Sequence, residues 1–144
     1  MKKMLIIVIT IFVIVMVMLS IWLVNVQSKN KQLQQINAQY EYYTKVPIYG
    51  TDLATLINKA IDNNKKYNIP KDANGLYIPD DKYSIKITIH MLSNEENYEM
   101  ETIFEHDIQQ FVELFNSSKF KADKIEYHFN TGRISQINFS QTQE

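Results

Sequence analysis

Three histidines and a scatter of carboxylates are the first residues to weigh for chemistry. His90 falls in "YSIKITIHML" and His128 in "DKIEYHF", segments that alternate apolar and polar residues as a half-buried strand does. By that alternation His90 and His128 share a polar face with Lys86, Glu99, Glu101 and Glu126. Imidazoles and carboxylates together are the donors of a zinc-type site or of a general acid–base pair. The two histidines lie on different hairpins, however, and no local spacing forces them together. The better reading is a solvated sheet surface. Lys86, His90, Glu99, Glu101, Glu126 and His128 form a partner-facing patch, and no catalytic, cofactor or metal residue is assigned.

The other candidates have structural readings. His106-Asp107 precedes an amphipathic run and suits a helix cap with a carboxylate at the positive end of the dipole. Ser117 and Ser118 end that run without the glycines of a nucleophile elbow. Arg133 follows the turn "NTG", where an exposed cation commonly starts a strand. The segment "KDANG" invites a calcium-loop reading, but with Gly75 at loop position six, Pro70 would have to be the first ligand. An Asn-Gly turn explains it better.

Composition narrows the field further. The chain has 144 residues, with 15 Lys+Arg against 16 Asp+Glu and a formal net charge of −1. Such a balance gives no long-range field to gather nucleic acid. Without Cys there is neither a disulfide nor a thiolate site. With only three Gly, no phosphate-cradling glycine loop occurs.

The elements that must position these residues begin with "MKKMLIIVITIFVIVMVMLSIWLVNVQSKN". Met4 to Val26 carries no charge and, as a helix, spans about 34 Å, enough for a hydrocarbon core of about 30 Å. The run is longer than the apolar part of a signal peptide and no small-residue cleavage site follows, so it reads as an uncleaved anchor in the lipid bilayer. Lys2 and Lys3 before it, and the polar remainder after it, favour an N-terminus inside and a domain outside the bacterial cytoplasmic membrane.

Residues 27–46 read as a helical stalk. Val26, Leu33, Ile36, Tyr40 and Tyr43 fall near heptad spacing, a stripe fit to pack on the chain's own domain or to support weak self-association. After Pro47, "YGTDLATLINKAIDNN" forms an amphipathic helix, capped at Thr51 or Asp52, through Leu53, Leu56, Ile57, Ala60 and Ile61. Gly50 permits the turn before it, and Asn63 and Asn64 weaken its end. Leu76–Ile78 forms a short strand. "YSIKITIHML" and "YEMETIF" make one hairpin, "HDIQQFVELFNSS" a second helix, and "DKIEYHF" with "RISQINFS" a second hairpin. The expected fold is α+β. A short basic N-terminus (1–3), an anchor (4–26) and a stalk (27–46) lead into one small domain (47–144). Its four-stranded antiparallel sheet carries two helices on the face that holds Ile85, Ile87, Ile89, Ile125, Tyr127 and Phe129.

The segments "YGTDLATLINKAIDNN", "KDANGLYIPDD", "YEMETIF" and "KIEYHFNTGRI", in that order, resemble a group of small single-span bacterial membrane proteins of unknown function. The likeness implies a shared fold and transfers no activity. In architecture alone the chain is similar to type IV pilins, but no Gly-terminated leader precedes its apolar run and no Glu stands early within it. The expected function is a non-catalytic binding or accessory module of the cell envelope with a protein partner. The alternative is a structural subunit of a secretion or pilus-type assembly. No cofactor and no nucleic acid are expected.

Overall fold

The computed structural model describes residues 2–143 and divides into two compact units, Met1–Gln35 and Ile36–Glu144. Helix α1 runs from Lys2 to Glu41. Large apolar side chains from Met4 to Val24 are exposed along it, and the helix is long and apolar enough to cross a membrane. Thr10 and Ser20 donate their hydroxyls to the carbonyls of Ile6 and Met16, at 2.9 and 2.8 Å. Both polar groups are thereby satisfied inside the helix.

In the second unit α1 ends in a 3₁₀ turn, Tyr42–Thr44. There follow β1 (Ile48–Tyr49), α2 (Gly50–Lys66), β2 (Lys86–His90), β3 (Asn97–Glu99), α3 (Met100–Glu105), α4 (Ile108–Phe115), β4 (Lys119–Tyr127) and β5 (Ile134–Gln141). Tyr40 and Tyr43 of the stalk stripe join the domain's own core. Beside them Asn37 donates to the Gly132 carbonyl at 2.9 Å and accepts from the Ile134 amide at 3.1 Å. The last turns of α1 are thus part of the folded domain.

The α+β class holds, but the sheet differs from the four antiparallel strands that the sequence suggests. It has five strands in the order β1-β4-β5-β2-β3, and β2 runs parallel to β5. The physical reason is the connection through α3 and α4, long enough to carry the chain across the apolar face. The second hairpin therefore enters on the far side of β2 from β3. This puts the two apolar strands in the centre, pairing Ile87 with Ile137 and Ile89 with Phe139, while short β1 and β3 take the edges.

Two local readings also change. The strand "YEMETIF" stops at Glu99, and Met100–Glu105 is helix. Met100, Ile103 and Phe104 fit helical spacing as well as Tyr98 and Met100 fit alternation, and burial of the first set decides the outcome. In β4, register shifts between Ala122 and Lys124 and between Glu126 and Tyr127 break the alternation. Tyr127 and Phe129 consequently leave the apolar face and are exposed, while Ile125 packs against the core. Leu76–Ile78 forms no strand, only an isolated bridge between Tyr77 and Lys71.

Helix α2 starts one residue before the expected cap, at Gly50, with Asp52 in its first turn and Lys65 and Lys66 in its last. Leu53, Leu56, Ile57 and Ala60 are wholly buried along its inner face. Gly50 serves packing rather than a turn, because a Cβ there would overlap the Phe115 carbonyl oxygen of α4. Asp107 caps α4 as expected, accepting from the Gln109 amide at 2.8 Å.

Candidate functional site

The polar face of the sheet is built from the outward residues of β2, β3, β4 and β5, and most of them pair with one another. Lys86 Nζ lies 3.2 Å from Glu99, which also accepts from the Thr88 hydroxyl at 3.2 Å. His90 Nδ1 bonds the Asn97 side-chain oxygen at 3.0 Å. Lys124 pairs with Glu126, Ser140 donates to Asp123, and Gln136 donates to Asn138. These are cross-strand and same-strand contacts of an ordinary solvated sheet.

Of the six residues assigned to this face, Lys86, His90, Glu99 and Glu126 stand on it. Glu101 does not. The helical turn at α3 buries it, where its carboxylate accepts from the Tyr77 amide at 3.0 Å. His128 lies beyond the end of β4 and is buried, with Nε2 2.7 Å from the Ser84 carbonyl. A carbonyl can only accept, so Nε2 carries the proton.

The structure does not bring the two histidines together. His90 closes β2, while His128 contacts Ser84 ahead of that strand's start. At about 3.3 Å per residue the strand separates them by roughly 20 Å. No metal-binding group of three or more His, Asp and Glu exists among the described residues. Ser84 and His128 resemble a nucleophile–base pair by proximity only, since the imidazole faces the backbone carbonyl. The Ser84 hydroxyl instead accepts from the Asp80 amide at 2.9 Å.

Asp80 organises this end of the molecule. Its Oδ1 accepts from the amides of Lys82, Tyr83 and Ser84 at 3.1, 2.7 and 2.6 Å. Burial pushes its carboxyl up, but the backbone donors together prevail and bring its pKa down to about 2. The loop so fixed forms one wall of a cleft of about 300 Å³, whose other lining includes Lys86, Glu126, Tyr127 and His128. Phe129, fully exposed, lines its rim with half-exposed Tyr127. Here three of the assigned residues meet exposed aromatic surface. A hydrogen-bonding floor beside exposed aromatic rings is chemistry for binding.

The residue that sequence reasoning misplaced most is Arg133. It is buried, donating to the Tyr67 hydroxyl and to Asn63 Oδ1, both at 2.9 Å. Its partners lie 66 and 70 residues away, so no local pattern could have pointed to them. Comparison of the chain with family models, curated proteins and solved structures found no match.

Proposed function

We propose that this protein is a membrane-anchored, non-catalytic binding module of the bacterial cell envelope, held by Met4 to Val26 with its N-terminus inside and its domain outside. The cleft ringed by Lys86, Glu126, His128 and Phe129 receives a protein partner. The observation that carries this reading is Phe129, a large aromatic side chain fully exposed beside Tyr127 and a set of hydrogen-bonding groups. Exposed aromatics over a polar floor are the make-up of protein interfaces, where a few such side chains dominate binding.

Two measurements in cells test it. A photo-crosslinking residue at Phe129 yields a discrete adduct with one protein, and a Lys86→Glu, Glu126→Lys double variant reduces it. A crosslinker there that captures nothing above a control on the exposed α4 residue Glu113 overturns the site. For orientation, Ser93→Cys places a thiol in the exposed β2–β3 turn of a chain without Cys. An impermeant thiol reagent labels it in intact cells; labelling only after lysis turns the protein around.

A further inference from the structure

The fold buries a guanidinium at the C-terminal end of α2, and no carboxylate among the described residues pairs with it. Arg133 is 6% exposed. Its side-chain hydrogen-bond partners, the Tyr67 hydroxyl and the Asn63 amide oxygen, are both neutral. Its guanidinium carbon lies 4.7 and 5.2 Å from the ring centroids of Tyr67 and Tyr83, which stack on each other at 4.5 Å. Its Nε is buried without an acceptor, and no carboxylate among the described residues lies within 4.0 Å of it. Aromatic faces and the negative end of α2 offset part of the cost of burying this charge. Buried cations are nonetheless ordinarily paired with an anion.

A cavity of about 290 Å³ opens beside Arg133, and its walls are biased toward positive charge. Lys59, Lys66 and Arg133 line it against Asp62 as the one carboxylate. Lys59 spends one donor on the Tyr43 hydroxyl at 3.2 Å and keeps two. Lys66 is exposed and makes no hydrogen bond or ion pair among the described residues. The Tyr67 hydroxyl accepts from Arg133, which leaves its own proton to donate. We propose that this cavity binds a phosphate-type oxyanion, with Arg133 and Lys66 supplying the charge and the Tyr67 hydroxyl a further donor. A guanidinium and an ammonium that share one anion make charge-assisted bonds stronger than any Arg133 now has. The cavity is larger than a bare phosphate needs, which fits a phosphate carried on an organic group. The hydrogen bond from Arg133 also holds the Tyr67 phenol below its ordinary range, which strengthens it as a donor.

The test uses the full chain in a nonionic detergent and follows thermal unfolding by circular dichroism. Sodium phosphate, glycerol phosphate and sodium chloride are titrated at equal ionic strength, and short-chain phosphatidylglycerol or phosphatidylcholine is added in separate samples. The expected result is a saturable rise in Tm with a phosphate ligand over chloride. Measured against its own Tm in chloride, Lys66→Gln should raise the apparent Kd roughly threefold to fivefold, the worth of one exposed ionic contact. Saturation by the free phosphates assigns a soluble ligand, and saturation only by phosphatidylglycerol assigns a lipid headgroup; either sustains the site. If no phosphate ligand exceeds chloride, or if Lys66→Gln responds as the wild type does, the site is overturned and Arg133 is a clamp between the β4–β5 turn and α2.

Discussion

Asn64 shows how a residue that weakens its own helix can hold a fold together. Its side chain is wholly buried, donating from Nδ2 to the Ile85 carbonyl and accepting at Oδ1 from the Ile85 amide, each at 2.8 Å. One amide thus does what a neighbouring strand would do for the backbone just before β2. Asn64→Ala leaves both buried groups unpaired and should lower stability by about 2–3 kcal/mol in urea unfolding of the detergent-solubilised chain. Asp80 yields a pH prediction. Its folded pKa of about 2 lies below the ordinary carboxyl value near 4, so the unfolded chain takes up the proton first. The stability it adds is complete above about pH 4 and is lost as pH falls toward 2. Asp80→Asn keeps the acceptor oxygen but not the charge. It should cost roughly 1–2 kcal/mol at pH 6, allowing for partial exposure. The gap between variant and wild type in urea midpoint should close as pH falls from 4 to 2. The role of Asn64 could not be read locally, because helix propensity weighs it within α2 and takes no account of Ile85, whereas the partners of Asp80 lie only two to four residues on.

At the scale of elements, the sequence is legible wherever period and turn chemistry agree. The apolar face of α2, the Asp107 cap of α4, and the strands Lys86–His90 and Ile134–Gln141 all follow from residues within a few positions. Strand neighbours do not, since pairing joins segments far apart and alternation says nothing of direction. The parallel register of β2 and β5 sets Thr88 opposite Asn138, while two strands lie between Glu99 of β3 and Glu126 of β4. In a chain without Cys, a Thr88→Cys, Asn138→Cys pair should be joined by a short bifunctional thiol reagent. A Glu99→Cys, Glu126→Cys pair, roughly 14 Å apart across the sheet, should not. Joining of the second pair alone would restore the sequential antiparallel sheet. The cleft was half legible: alternation placed Lys86, Glu126 and His128 together, but the register shifts in β4 brought exposed Phe129 to their rim.

For the whole molecule, composition alone reveals the long apolar helix, because a charge-free run of that length matches the thickness of a bilayer and exceeds what a small core can bury. The proposed function was less legible, since binding surfaces carry no fixed spacing. If the helix anchors the chain as proposed, alkaline carbonate leaves the protein in the membrane pellet and detergent releases it. Light scattering then separates two readings: a binding module elutes as single chains in micelles, whereas a pilus-type subunit forms large oligomers.

The position of β5 has a consequence for synthesis. This strand occupies the middle of the sheet between β4 and β2, yet it is made after every other described element. Until it emerges, β2 lacks one of its two partners, Ile137 and Phe139 are missing from the core, and Asn37 has no Ile134 amide to accept. Contacts of such long sequence separation form late and cannot be stabilised piecemeal. The core cannot close until β5 is made, and an open chain is the form that could be threaded across a bilayer if the domain lies outside as proposed.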